Sequence, residues 1–421
     1  MTLEVFGTLS GTVQVPPSKS VAHRMLICAA LSGEPCSIVC QSVNRDMEAT
    51  VNCLNALGAK ISYNNGCFNV TPVGKCTKGA TLDCAESGST LRFLLPVAAA
   101  LGADAVFTGQ GRLPERPLSP LYEEMTAHGV RMSQNGRMPL TCNGSLPGGN
   151  YTIDGGVSSQ FISGLLMALP LTGQDSTITV TGKKESQSYI ELTLNALKLF
   201  GIKVEKTDSG YHIPGSQKFT APSARIAVES DWSGAAFWIV AGVAGRKSIT
   251  CTGLDYDHSA QGDRRIIDVL RSMGADITIG PGSVTARPSQ LTGCIIDCAD
   301  IPDLVPVMAV AASAAQGTTL FNNINRLRIK ESDRVEAILS MLSGAGISAY
   351  ATQDTLTVTG GIARNTKYDP CNDHRMAMAA AVLAIVKNIN ITISSTECVA
   401  KSYPSFFDDF KALGGDIIIE N

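Results

Sequence analysis

Two kinds of apolar pattern recur along the chain in a fixed succession. The first is a segment apolar on nearly every side: VAHRMLICAAL, STLRFLLPVAAAL, QFISGLLMALPL, WSGAAFWIVAGVAG, PDLVPVMAVAASAA and HRMAMAAAVLAIV. A helix without a polar face is a buried one. The second is an amphipathic helix tail that runs into a glycine and then a short alternating stretch: LNALGAKI, MTAHGVRM, LKLFGIKV, LRSMGADI, LSGAGISA and FKALGGDI. Glycine just past a helix end reads as a left-handed C′ cap, and the alternation after it as a strand. The six glycines, Gly58, Gly129, Gly201, Gly274, Gly346 and Gly414, lie 71, 72, 73, 72 and 68 residues apart. Each repeat is therefore predicted to hold a buried helix, a strand, an amphipathic helix and further strands. Six repeats fall into two groups of three joined near 220–228, which predicts two similar α/β domains. The Gly/Pro-rich stretches 145–150 and 280–288 read as turns.

A chain of 421 residues, 44% hydrophobic and 17% charged, has the composition of a soluble globular protein with a large core. Its formal net charge of −3 leaves no global basic field for nucleic acid or a membrane surface, so any anion site must come from local clusters. The 13 cysteines are scattered without a CxxC pair or a His-rich partner segment, which reads as reduced thiols in a cytoplasmic protein with no metal site. No apolar run approaches the roughly 20 residues that span a bilayer, and MTLEVFGTLSG lacks the regions of a signal peptide.

Polar residues gather at matching points of the repeat. The buried helices are preceded by Ser18-Lys19-Ser20 with Arg24, Glu86-Ser87-Gly88-Ser89 with Arg92, Ser158-Ser159-Gln160, Glu229 to Asp231, Asp303, and Asn372-Asp373-His374-Arg375. Thirteen residues before each repeat glycine, where the second helices are predicted to start, stand Arg45, Arg116, Ser188, Gln261, Asp333 and Lys401. Helix N-termini present unpaired N–H groups and the positive end of a dipole, and so attract phosphate and carboxylate. Ser87, Ser89 and Asp231 also read as ordinary N-caps. Lys19 and Arg24 are harder to place that way, because a buried helix should not begin with unpaired cations. RLRIKESDR (326–334) concentrates three Arg, one Lys, one Glu and one Asp. Such a run is either a solvated helix start laced with i,i+4 pairs or a site that handles an anion and a proton.

Nine segments carry a resemblance. PPSKSVAHR (16–24), AESGSTLRF (85–93), LPERPL (113–118), GGVSSQF (155–161), SQSYIELTL (186–194), DIPDLVP (300–306), RLRIKESDR (326–334), NDHRMAM (372–378) and AKSYPSFF (400–407) are similar, in order, to motifs of the 3-phosphoshikimate 1-carboxyvinyltransferase (EPSP synthase) family. The resemblance implies two α/β domains, each of three βαβαββ repeats in an inside-out α/β barrel (EPT/RTPC-like). It implies boundaries at 17–228 and at 1–16 plus 229–421, with the first strand crossing to the C-terminal half and the active site in the cleft between the domains. It implies transfer of the enolpyruvyl group of phosphoenolpyruvate to the 5-hydroxyl of shikimate 3-phosphate, on the way to chorismate and the aromatic amino acids. No cofactor is implied, and a monomer is.

By the same resemblance Asp303, Glu331 and Lys19 are catalytic. Shikimate 3-phosphate is assigned to Lys19, Ser20, Arg24, Ser158, Ser159, Gln160, Ser186, Asp303 and Lys330. Phosphoenolpyruvate is assigned to Lys19, Gly88, Arg116, Gln160, Arg334, Arg375 and Lys401. Glyphosate sensitivity is implied by the retained Gly88. Three departures stand out: Glu86 where the family usually has Asn, Arg326 where some members have Asn, and Gln187-Ser188 in place of a basic residue and Pro. The alternative acceptor is UDP-N-acetylglucosamine, but that sister family has a Cys in the loop corresponding to 110–120, and GQGRLPERPLS has none. An RNA-binding protein on related repeats would want a basic surface. A non-enzymatic anion binder would not need Asp303 and Glu331 together.

Overall fold

The all-apolar segments can be helical only if every side is covered, and this requirement organises the architecture. The computed structural model describes residues 1–133, 137–182, 186–223 and 225–420; Ala224, in the predicted junction, lies outside them. The chain opens with β1 (Thr2–Gly7) and β2 (Gly11–Gln14). The first repeat follows as α1 (Lys19–Ala30), β3 (Cys36–Val39), α2 (Arg45–Ala56), β4 (Lys60–Asn64) and β5 (Cys67–Thr71). The second is β6 (Thr81–Asp83), α3 (Gly88–Ala100), β7 (Ala105–Thr108), α4 (Leu121–Ala127), β8 (Arg131–Met132) and β9 (Leu140–Asn143). The third is β10 (Asn150–Asp154), α5 (Ser159–Ala168), β11 (Ser176–Thr181), α6 (Gln187–Leu199), β12 (Glu205–Lys206) and β13 (Gly210–Ile213), followed by β14 (Ile226–Ala227).

The fourth repeat holds α7 (Trp232–Ala244), β15 (Ile249–Thr252), α8 (Ile266–Ser272), β16 (Asp276–Gly280) and β17 (Ser283–Arg287). The fifth holds β18 (Ile295–Asp297), α9 (Val305–Ala314), β19 (Thr318–Asn322), α10 (Arg334–Gly344), β20 (Ala349–Ala351) and β21 (Thr355–Thr359). The sixth holds β22 (Thr366–Tyr368), α11 (His374–Lys387), β23 (Ile391–Ile393), α12 (Phe406–Ala412) and β24 (Gly415–Glu420). The stretch 280–288, read as a turn, is mostly strand β17, which pairs antiparallel with β16 around Gly282.

The chain splits into two compact units. One is discontinuous, Met1–Ser18 with Glu229–Asn421; the other is continuous, Lys19–Val228. Pro17 and Ser18 go with the discontinuous unit, since Pro17 bridges Ser230 and the Ser18 N–H donates to Glu229 O at 2.7 Å. Each unit has its own hydrophobic core. Each contains three four-stranded sheets of one plan, in which two parallel strands are followed by two antiparallel ones, as in β6-β7-β9-β8 and β18-β19-β21-β20. Three sheets complete this plan with strands distant in sequence, and in one of them β2 runs parallel to β15. β14 runs parallel to β3, and β1 inserts between β23 and β24 with Val5 opposite Ile391 and Ile417.

The helices α1, α3 and α5 are the buried ones of the continuous unit, and α7, α9 and α11 those of the discontinuous unit. Every residue from Trp232 to Val243 and from His374 to Ile385 is buried. All six repeat glycines have positive φ, between +77° and +113°, as a C′ cap requires. After five of them the next residue closes the cap on the helix, as Ile347 N does on Leu342 O at 2.8 Å. Gly164 of α5 packs directly against α3, where a Cβ would collide with Arg92 O and come within 2.9 Å of Pro96 Cγ. Gly164→Ala gains about 1 kcal/mol of helix propensity but forces the two helices apart, which costs about 1–3 kcal/mol. The expected outcome is a lower urea midpoint; a raised midpoint would show that the close approach is not what excludes a side chain here.

Candidate active site

In the discontinuous unit the stretch 326–334 divides by burial. Arg328 faces outward and pairs with Asp333 at 3.2 Å and Glu336 at 3.1 Å, the solvated arrangement common to charge runs. Arg334, the first residue of α10, is buried, with only 1% of its side chain exposed. Its guanidinium meets three carboxylates: Nε donates to Asp373 Oδ2 at 2.8 Å, Nη1 to Asp303 Oδ1 at 2.8 Å and Nη2 to Glu331 Oε2 at 2.7 Å. Burial by itself would lower its pKa. Asp373, Glu331 and Asp303 outweigh that and hold it above the ordinary value.

Two of the carboxylates are themselves placed by helix starts. Asp373 caps α11, accepting from Arg375 N at 3.0 Å, and also accepts from Ser332 Oγ at 3.0 Å. Asp303 lies in the short turn Pro302–Leu304 that leads into α9, and Arg375 Nη2 and Lys330 Nζ bond it at 3.0 and 3.3 Å. Burial draws Lys330 down to about 8, opposed by Asp303 and reinforced by Arg326 and Arg334. Lys401 donates to Asn372 O at 2.6 Å, one residue before Asp373. Asp303, Lys330, Glu331, Arg334 and Arg375 thus form one connected group, with Lys401 tied to the adjoining loop. Arg326 is buried close enough to Lys330 to repel its charge.

Asp263 was not singled out by the sequence reading. It is buried, takes a hydrogen bond from Ser233 Oγ on the first turn of α7, and has no hydrogen-bond partner for Oδ1 among the described residues. Burial raises its pKa, with Asp303 adding to the shift and Arg375 opposing it. The available signal was its place in QGDRR, two residues after the marked Gln261.

In the continuous unit Lys19 opens α1, and its ammonium pairs with Asp46 of α2 at 2.8 Å. Arg24 is buried and ties three segments together. It donates to Ser20 O at 2.7 Å, Thr193 Oγ1 at 2.7 Å and Tyr189 O at 2.8 Å, with its guanidinium 4.8 Å from the centre of the Phe93 ring. The unpaired cations that looked costly at the head of a buried helix are therefore paired. Ser186, left-handed at φ 54°, stands immediately before α6. Ser158 caps α5, accepting from Gln160 N at 3.3 Å, and Ser159 is the first residue of that helix. Gln160 accepts from Arg92 Nη1 and donates to Ser89 Oγ, both at 2.8 Å, so Ser89 serves as its partner rather than as a cap. Ser87 and Asp231 are N-caps, of α3 and α7. Gly88 opens α3 directly under Arg116: a Cβ there would lie 2.5 Å from Arg116 Nη1. The absence of a side chain at Gly88 makes room for a cation.

Three of the six positions predicted as second-helix starts do not start an α-helix; Gln261 precedes the 3-10 turn Gly262–Arg265, with α8 beginning at Ile266. Arg116 follows the short turn Leu113–Glu115, with α4 beginning at Leu121. Lys401 ends the turn Thr396–Lys401, with α12 beginning at Phe406. In each of these repeats a tight 3-10 turn displaces the helix; Arg116 directly follows its turn and Lys401 ends its own.

The profile of the family described as EPSP synthase (3-phosphoshikimate 1-carboxyvinyltransferase) matches residues 3–410. The chain belongs to the EPSP synthase family. A 3-phosphoshikimate 1-carboxyvinyltransferase of Clostridium kluyveri is 43% identical over 415 residues, 97% of this chain and 96% of that one. One from Clostridium novyi is 39% identical over the same shares. In fold, the chain is similar over its full length to EPSP synthase from Acinetobacter baumannii, with a TM-score of 0.81 at 24% identity. It is also similar over 99% of its length to the enolpyruvyl transferase NikO from Streptomyces tendae, with a TM-score of 0.74 at 19% identity. The two-domain fold of six βαβαββ repeats agrees with both likenesses.

Within this family member, Asp373 is the most deeply buried of the three anions around Arg334. Asp373→Ala leaves a buried guanidinium short of a partner and uncaps α11, so a loss of about 3–5 kcal/mol is expected in urea unfolding. A loss below about 1 kcal/mol would show that Asp303 and Glu331 alone satisfy Arg334.

Proposed function

We propose that the protein is a 3-phosphoshikimate 1-carboxyvinyltransferase that moves the enolpyruvyl group of phosphoenolpyruvate to the 5-hydroxyl of shikimate 3-phosphate and releases phosphate. The observation that carries this reading is the joining of Asp303, Lys330, Glu331, Arg334 and Arg375 in one partly buried group, in a chain matched to the family over nearly its whole length. It unites strong cations with two carboxylates that reach solvent, as anion binding with proton transfer demands. UDP-N-acetylglucosamine as acceptor is not favoured.

The reaction assigns a task to each group. Asp303 takes the proton of the 5-hydroxyl as its oxygen bonds to C2 of phosphoenolpyruvate. Glu331, assisted by Lys19, gives a proton to the methylene carbon. In the second step the C2–O bond to phosphate breaks and Glu331 takes a proton back from the methyl group. Arg334 at 2.7 Å stabilises Glu331 as an anion, so Glu331 acts as an acid once substrate anions compete for that guanidinium. Phosphoenolpyruvate is held by Lys19, Gly88, Arg116, Gln160, Arg334, Arg375 and Lys401. Shikimate 3-phosphate is held by Lys19, Ser20, Arg24, Ser158, Ser159, Gln160, Ser186, Asp303 and Lys330. Arg24 does this chiefly by fixing the start of α6, because its nitrogens are engaged by protein acceptors. The enzyme works as a cytoplasmic monomer and is inhibited by glyphosate. Among the described residues no helix is long and apolar enough to cross a membrane.

Phosphate release that requires both substrates tests the assignment, and release with UDP-N-acetylglucosamine in place of shikimate 3-phosphate would overturn it. Asp303→Asn and Glu331→Gln are each expected to lower kcat by about 10²–10⁴-fold; near-native turnover in either variant would remove that residue from the proton path. Lys330 also sets a pH dependence. Its lowered pKa leaves it charged well below pH 8 and neutral above, while the substrate phosphate, with a second pKa of about 6, stays a dianion throughout. Affinity for shikimate 3-phosphate should therefore fall as pH rises through about 8, by up to about tenfold between pH 7 and 9. Lys330→Arg should abolish the fall. Calorimetric titrations showing a flat affinity in the unsubstituted enzyme would place Lys330 outside the phosphate contact.

A further inference from the structure

Between Lys19 and Arg24 on α1 stands His23, fully buried and absent from the roles assigned above. Its Nδ1 is 2.7 Å from Thr50 Oγ1 on α2, and Thr50 Oγ1 is 2.7 Å from Thr90 Oγ1 on α3. Thr90 Oγ1 donates to Ser87 Oγ at 2.8 Å, and Thr90 N donates to the same oxygen at 3.2 Å. Thr50, Thr90 and Ser87 are as fully buried as His23. Each threonine has one proton to give. With Thr90 donating to Ser87, Thr90 accepts from Thr50, and Thr50 accepts from His23. That order selects the imidazole tautomer with its proton on Nδ1, and Nε2 has no partner among the described residues. Burial, with Lys19 and Arg24 nearby, lowers the His23 pKa well below its ordinary value and keeps the ring neutral.

The line of bonds runs from the helix that carries Lys19, past the helix that carries its partner Asp46, to the cap of the helix that begins at Gly88. Helix packing alone does not require it, since valine fills a threonine's volume without a hydroxyl. Three apolar side chains of equal size would leave the helices packed but Ser87 Oγ held only by the Thr90 N–H at 3.2 Å. A buried chain of hydroxyls with one consistent direction fixes a rotamer at each position, and one misplaced group of about 1 Å at a reacting site can cost about 10²-fold in rate.

We propose that His23 is a positioning residue for the enolpyruvyl donor, acting through Thr50 and Thr90 on Ser87 and thereby holding the Gly88 backbone and the overlying Arg116 in register with Lys19. The proposal rests on the reading that Gly88, Arg116 and Lys19 hold phosphoenolpyruvate. Thr50→Val breaks the line at its middle while keeping the volume, and Thr50→Ser restores the hydroxyl. In steady-state kinetics Thr50→Val is expected to raise KM for phosphoenolpyruvate about tenfold, an effect of about 1.4 kcal/mol, with KM for shikimate 3-phosphate changed less than about twofold. Thr50→Ser should return the phosphoenolpyruvate KM to near the starting value, and Thr90→Val should repeat the effect of Thr50→Val if that variant fails to fold. Unmoved KM values in both valine variants would overturn the proposal. So would a rise in both KM values together with a lowered Tm that serine does not rescue, because that is the mark of packing alone. An unsubstituted enzyme that shows no phosphate release with both substrates would overturn the functional reading beneath the proposal, and so is distinguishable from either result.

Discussion

A guanidinium removed from water must be met on every side or it costs several kcal/mol, and Arg334 imposes that condition on the discontinuous unit. Its three carboxylates come from the entry to α9, from the residue three before it, and from the cap of α11. Meeting Arg334 therefore brings the starts of α9, α10 and α11 to one point. The same contacts leave Asp303 and Glu331 partly exposed while Asp373 is sealed inside. One carboxylate thus serves structure, and the other two are left where a substrate and a proton can reach them. With Lys330, Arg375, Lys401 and Arg326 close by, the local balance is cationic although the whole chain is slightly acidic.

The continuous unit meets the equivalent demand with less charge. Arg24 is satisfied by two backbone carbonyls and a threonine hydroxyl, and Lys19 by a single carboxylate. Hydroxyl and amide groups do the rest: Ser158 and Ser87 cap helices, Gln160 bridges Arg92 and Ser89, and His23, Thr50 and Thr90 form a continuous line. Neutral hydrogen bonds lose less than ion pairs when a dianion arrives, because no carboxylate close by repels it. Asp46 beside Lys19 is the exception, and its pairing holds the lysine in place. Glu86 introduces a further carboxylate near Gly88. Its side chain packs against Gly111, whose lack of a Cβ makes the space.

The repeat explains how both groups arise. Every repeat ends its outer helix in a glycine of positive φ, and four of the six inner helices, α3, α5, α7 and α11, begin with a Ser or Asp cap, so polar residues accumulate at the same end of similar units. The inner helices can be apolar throughout because sheets and outer helices cover them. Completion of the last sheet by β1 gives the sixth repeat its third strand from the other end of the chain.

The features legible in the sequence were local ones. Buried helices show as segments without a polar face, helix ends as glycines that must adopt positive φ, and caps as Ser or Asp ahead of an apolar run. These depend on residues within a few positions of one another, so spacing alone determines them. Nine ordered motifs further identified the family. Tertiary structure decided which charge meets which. Arg334 with Asp373, Lys19 with Asp46 and Arg24 with Tyr189 join residues tens to more than a hundred positions apart, and no local pattern encodes such pairs. It also sent Arg328 to solvent and Arg334 inside, although both belong to one charged run. It set Arg116 just after a 3-10 turn and Lys401 at the end of one, where a fixed offset from the glycine had placed helix starts. Asp263 and the His23–Thr50–Thr90 line stayed invisible for the same reason. An isolated Asp, His or Thr becomes meaningful only when folding buries it beside a partner, and burial is a property of the whole chain.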